Sequence, residues 1–160
     1  MRLTRVAAVL LCGAGCARAE FVRIEQSLTQ LDCASCAESL AARLKRLRGV
    51  ESAGLGAGGF VWLELKPDNT IRLETIRDLA KGGGFTPGEA RVRVRGKALE
   101  REGKWWLEIA GLDQTYRLDL GPGVGPPRPG QRIVAEGVVA PPAAPGTPPV
   151  VRVTAIESEP

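Results

Sequence analysis

Residues 21–65 read FVRIEQSLTQLDCASCAESLAARLKRLRGVESAGLGAGGFVWLEL, and the changes of hydrophobic period inside this stretch decide the fold class. Val22 and Ile24 alternate with Phe21, Arg23 and Glu25, the two-residue period of a strand. From Cys36 to Arg48 the period lengthens. Ala37, Leu40, Ala41, Leu44 and Leu47 recur every three or four residues and predict a helix with one apolar stripe. Ser35 with Glu38 reads as a capping box at its start, and Gly49 as its stop. Val50 to Ala57 is a weak strand that runs into the GAGG of residues 56–59, a hairpin turn rather than a phosphate loop, because no helix follows it. Phe60 to Leu65 is a firm strand, with Val61, Leu63 and Leu65 on one face and Phe60, Trp62 and Glu64 on the other.

Outward from that stretch, Lys66-Pro67-Asp68-Asn69 is a turn, and Thr70 to Lys81 is a second helix with Leu73, Ile76 and Ala80 inward. Ala90, Val92 and Val94 alternate with Arg91, Arg93 and Arg95 in a further strand. The order β-α-β-β-α-β over residues 20–95 predicts an α+β, ferredoxin-like domain, both helices on one sheet face and the other face open. Phe60 and Trp62 on that open face are expected to be covered by the C-terminal half of the chain. Beyond Gly96 helical periods vanish and short alternating or β-branched runs take over, around Trp105–Ile109, Tyr116–Leu120, Ile133–Val139 and Val150–Ile156. With the stretch Arg91–Leu99 they make about five strands, which predicts a small all-β, OB-like barrel over residues 96–160. Ten of the twelve prolines lie at or beyond Pro122, in GPGVGPPRPG and APPAAPGTPP, and mark loops.

The chain has 160 residues, 44% hydrophobic and 25% charged, a globular composition. It contains no histidine, which excludes Ser-His-Asp and Cys-His nucleophile systems, a histidine base and any histidine-ligated metal. Nor does it offer a paired acid and base or a phosphate cradle, so the expected role is binding rather than turnover. Arg2 and Arg5 followed by the apolar run Val6–Leu11 and by Ala17-Arg18-Ala19 read as a signal peptide over residues 1–19, with the mature chain starting at Glu20. Lipidation at Cys16 is the competing route; both place the protein in the periplasm or outside the cell. Without the leader, 19 basic residues face 18 acidic ones, a balance that gives no electrostatic footprint for nucleic acid. No apolar run is long enough for a transmembrane segment.

Two thiols then remain in the mature chain, in Gln30-Leu31-Asp32-Cys33-Ala34-Ser35-Cys36, where the first strand hands over to the first helix. Two cysteines separated by two residues across such a turn can converge on one centre, and the positive end of the helix favours thiolate. A thiolate pair suits soft ions such as Cu(I), Hg(II) or Cd(II). A closed zinc site needs four ligands, more than this chain holds in one place. The competing chemistry is a thiol–disulfide couple in an oxidising envelope.

Cys33-x-x-Cys36, Leu44-x-x-Leu47-x-Gly49-Val50, the Val61/Leu63/Leu65 strand and Gly84-Phe85 together resemble the heavy-metal-associated domain, the module of periplasmic mercury-binding proteins, copper chaperones and the N-termini of metal-exporting ATPases. The resemblance covers residues 20–95. It implies that Cys33 and Cys36 ligate the metal, that Phe85 is the aromatic beside the metal loop, and that a metal-transporting membrane protein is the partner. The family's usual Gly-Met before the x-Cys-x-x-Cys is replaced here by Gln30-Leu31, with Leu31 keeping the apolar role. In members that export zinc, cadmium or lead, an aspartate before the first cysteine can join the metal, so the resemblance implies an accessory ligand role for Asp32 that would admit Zn(II) or Cd(II), the alternative being a solvated loop acid. Arg43, Lys45, Arg46 and Arg48 read as cations favoured at a helix C-terminus, or as a docking face for an acidic partner. The third reading is an interaction module with a degenerate metal site.

Overall fold

The computed structural model describes residues 20–29, 33–144 and 146–159. Its elements are β1 (Glu20–Thr29), α1 (Ala34–Lys45), β2 (Val50–Gly56), β3 (Phe60–Leu65), α2 (Leu73–Gly82), β4 (Thr86–Arg101), β5 (Lys104–Ile109), a short 3-10 turn (Ala110–Leu112), β6 (Gln114–Leu120), β7 (Arg132–Val139) and β8 (Val150–Ser158). The strands join in one eight-stranded mixed sheet, in the order β2-β3-β1-β4-β5-β6-β8-β7, with a further pairing between β4 and β7. All pairings are antiparallel except β6 with β8.

This architecture corrects the expectation of a ferredoxin-like domain followed by a separate OB-like barrel. The eight strands form one sheet and share one core with the two helices, and the reason lies in β4. Its inward residues Ala90, Val92, Val94, Gly96 and Ala98 keep one alternation through residue 95, so nothing in the chain stops the strand there. Along one edge β4 pairs with β1 through Arg95 and then with β5 from Lys97. Along the other edge it pairs with β7 from Ala90 to Lys97. The two halves therefore share sixteen residues of backbone and one core, running from Phe21 and Leu40 to Ile133 and Val153.

Gly96 lets the strand serve both halves. A Cβ there would lie 2.7 Å from the Glu108 carbonyl oxygen and 2.9 Å from Leu107, so β5 can cross close over β4 only where no side chain intervenes. Gly49, at φ +97, has a similar task in the α1–β2 turn, where a Cβ would meet the Asn69 side chain at 2.8 Å. Asn69 is buried and fully used: its amide donates to the Phe21 and Lys66 carbonyls, and its Oδ1 accepts from the Ile71 amide. Buried Glu20 accepts from the Asn69 amide and from Arg95, tying the start of β1 to the turn before α2 and to β4.

Three local expectations change. α1 begins at Ala34 with Cys33 as its N-cap, so the Ser35/Glu38 capping box does not form. Phe60 and Trp62 are half-buried, and their cover is β2 rather than the later strands: their rings lie where a Cβ on Gly56 and Gly54 would have to be, the register partners of the two aromatics. Arg77, on the inward face of α2, is buried beside Leu73, Ile76 and Ala80.

Substituting Gly96→Ala should cost about 2 kcal/mol of stability, an overpacking penalty without relief from a flexible neighbour, because one of the blocking atoms is backbone. Urea unfolding of the variant checks this, with an unchanged midpoint contradicting the close crossing. Tyr116 is buried against Phe21, ring centroids 5.8 Å apart, and its hydroxyl has no hydrogen-bond partner among the described residues. Tyr116→Phe should then leave stability at neutral pH unchanged or slightly raised, since no hydrogen bond is lost. Burial holds the phenol's pKa well above its usual 10, with Glu74 pushing the same way. The folded state binds that proton more tightly than the unfolded one, so Tyr116 should add alkaline destabilisation as pH rises above about 10, and the Phe variant should lack that component in denaturation midpoints taken against pH.

Candidate functional site

Cys33 and Cys36 stand at the start of α1. Cys33 takes an extended conformation, φ −129 and ψ 101, and so occupies the N-cap position where serine or aspartate is usual. Its Sγ accepts from the Cys36 backbone N–H at 3.2 Å and lies 3.3 Å from Ser35 Oγ, while its carbonyl accepts from the amides of Cys36 and Ala37. Cys36 follows within the first helical turn, which brings the two Cα atoms to 5.2 Å and the sulfurs into a disulfide. Cys33 is half-buried and Cys36 exposed. No acid occupies the first turn of α1, and the helix N-terminus and Ser35 lie beside the sulfurs.

A shallow cleft of about 290 Å³ opens beside Cys36, lined by Ser35, Ser39, Leu40, Arg43 and Gly83. The 83 position belongs to the turn after α2, so the second helix closes one side of the site. Phe85 does not reach this cleft. It is buried, and its ring passes beneath Gly83, 3.2 Å from where a Cβ would stand. Its part is to support the turn, and its amide caps α2 by donating to the Ala80 carbonyl at 3.0 Å. Asp32, with Gln30 and Leu31, lies outside the described residues, as do Cys12, Cys16 and the whole of residues 1–19, where a signal peptide is expected.

Among the described residues no group of three or more Cys, Asp, Glu or His gathers where a metal ion could be held. The reduced site would thus present two sulfur ligands on an exposed turn, an open donor set that fits an ion content with two thiolates or one that takes its remaining ligands from elsewhere. In the oxidised form the same sulfurs are an accessible disulfide. No helix among the described residues is long and apolar enough to cross a membrane.

No family model, no curated protein and no solved structure matches this chain.

Sequence reasoning placed the two cysteines at the strand–helix junction but missed the part Cys33 plays as N-cap. A cysteine immediately before a helical period, where a short polar residue is usual, is the signal that could have revealed it. It also missed Arg43 in the cleft wall, because Arg43 groups in the sequence with the cations of the helix end. The spacing Cys36 to Arg43, seven residues or about two turns, places both on one side of α1. Arg43→Glu should slow alkylation of the reduced Cys36 thiol by iodoacetate severalfold and leave its alkylation by uncharged iodoacetamide less affected. Equal effects on both reagents would remove Arg43 from the site's electrostatics.

Proposed function

We propose that this chain is an exported carrier of soft metal ions, which takes up its cargo on the reduced Cys33–Cys36 pair and is closed to it when the pair is oxidised. The observation that carries the reading is the convergence of the two sulfurs at an exposed helix N-terminus, with a backbone N–H already directed at one of them. Such a turn stabilises negative charge on sulfur, and thiolate is the form that binds Cu(I), Hg(II) or Cd(II). The resemblance of residues 20–95 to heavy-metal-associated domains supports the same cargo class, and an exposed site suits transfer to a second protein, for which a metal-transporting membrane protein is the proposed partner. The leader supports export to the envelope. Reduction consumes two electrons and two protons from a dithiol donor and yields two thiols; metal binding then releases the protons.

A second reading is favoured by the disulfide itself: an envelope thiol–disulfide exchange protein in which exposed Cys36 is the sulfur open to attack. The two readings separate cleanly. Reduced full-length protein should take up one equivalent of Cu(I) or Hg(II), and Cys33→Ser and Cys36→Ser should each abolish that uptake in competition titrations. Catalysed reduction of insulin disulfides without metal uptake would establish the exchange reading in its place. Asp32, as an accessory carboxylate, should matter only to ions that want more than two ligands. Asp32→Ala is expected to weaken Cd(II) and Zn(II) binding about tenfold and leave Cu(I) affinity unchanged. Equal losses for all ions would make Asp32 a loop acid with no ligand role.

A further inference from the structure

Beside α2 lies a second and larger cleft, about 380 Å³ in volume, between that helix and the proline-rich connection from β7 to β8. The helix contributes Glu74, Arg77, Asp78 and Lys81; the connection contributes Ala140, Pro141, Pro142, Pro148 and Pro149. Its walls are therefore apolar on one side and charged on the other.

Arg77 is the unusual member. It is only 6% exposed, yet among the described residues it has no carboxylate within ion-pair distance. Its Nε donates to Gln26 Oε1 at 3.1 Å, and its Nη2 donates to the Val139 carbonyl at 2.9 Å. Both acceptors are neutral. Nη1, with two N–H groups, makes no hydrogen bond among the described residues. Gln26 is wholly buried and spends its amide on the Ser27 and Gly88 carbonyls, so the guanidinium is held rigidly from behind. Burial pulls the guanidinium's pKa below its usual value, with Glu74 and Tyr116 opposing, but an arginine keeps its charge at neutral pH. A fixed cation with only neutral hydrogen-bond acceptors, in the wall of a cleft whose opposite side is apolar, is an arrangement that recognises an anion.

We propose that this cleft binds a monocarboxylate with an apolar body, the carboxylate on Arg77 Nη1 and the body against the proline wall. The remaining charges argue for one negative charge rather than two. Lys81 is engaged by Asp78 at 3.6 Å, and Glu74, held by Gln114 at 3.1 Å, stands at the rim, where it would repel a dianion such as phosphate. This site is independent of the cysteine turn and shares no lining residue with the cleft beside Cys36.

The test is an amide-resolved NMR titration of the full chain with octanoate and, separately, with acetyl-Ala-Val-Leu as the free acid, each against its uncharged counterpart, octanamide or the peptide amide. Shifts should cluster in α2 and residues 140–150, and the charged probe should bind about tenfold more tightly than its amide. The preferred probe tells whether an acyl chain or a peptide terminus is the better occupant. Glu74→Gln, at an exposed position, should tighten octanoate severalfold and leave octanamide unchanged; Arg77→Lys should weaken octanoate. Equal affinity for acid and amide, shifts centred elsewhere, or indifference to Glu74→Gln would each overturn the proposal, and the last needs no change at the buried arginine.

Discussion

β4 is the constraint on which the rest of this molecule depends. A strand in a sheet has two edges, and β4 uses both over most of its length: β1 and then β5 on one, β7 on the other. β7 carries β8, β8 carries β6, and β6 returns to β5, so the five later strands close on one another through β4. A closed set of strands has no free edge in it, which leaves β2 as the sheet's exposed margin at the other end. Short β2, built from small residues, is braced by the Trp62 and Phe60 rings lying over Gly54 and Gly56. Cross-strand aromatic cover of this kind supplies packing that glycine cannot.

The helices are fastened to that sheet by different means. α1 buries a conventional apolar stripe of Ala37, Leu40, Ala41 and Leu44. α2 adds to its apolar residues a buried cation, and the cost of burying it is offset by two neutral acceptors, one from β1 and one from the end of β7. Arg77 thereby joins the first strand, the second helix and the seventh strand, and the joint depends on chain segments 51 and 62 residues away. On the open face, the partners are ionic: Arg23 with Glu25 and Glu64, Arg93 with Glu136 and Glu157, Arg152 with Glu89. These exposed pairs contribute little stability each, but their register matches opposite charges across the strands and disfavours a slipped sheet.

The cysteine turn sits where this framework is rigid behind and open in front. β1 is paired on both sides over most of its length, α1 begins at Ala34, and Phe85 supports the floor formed at Gly83. A cysteine pair held this way loses little freedom on forming the Cys33–Cys36 disulfide.

Local structure was legible in the sequence because it is a local matter. The two-residue period of Phe60–Leu65 and the three-to-four-residue period of residues 37–44 set strand and helix by which face each side chain takes, and both elements stand where those periods put them. The cysteine pair at a strand–helix junction was legible for the same reason. The joining of the two halves was not, since the alternation of Ala90 to Ala98 specifies a strand and an inward face but carries no information about which strands will lie on its edges. That is decided by backbone hydrogen bonds, which are alike for every residue, and by the shared burial of side chains distant in the chain. Arg77 shows the same limit: the sequence reading turned only Leu73, Ile76 and Ala80 inward, and the acceptors that let Arg77 join them, Gln26 and Val139, reach it only in the folded sheet. The sequence by itself determined the elements and the dithiol, through nearest-neighbour geometry; the tertiary structure decided the single sheet and the buried cation beside the proline-walled cleft, because pairing and desolvation are settled only when distant segments meet.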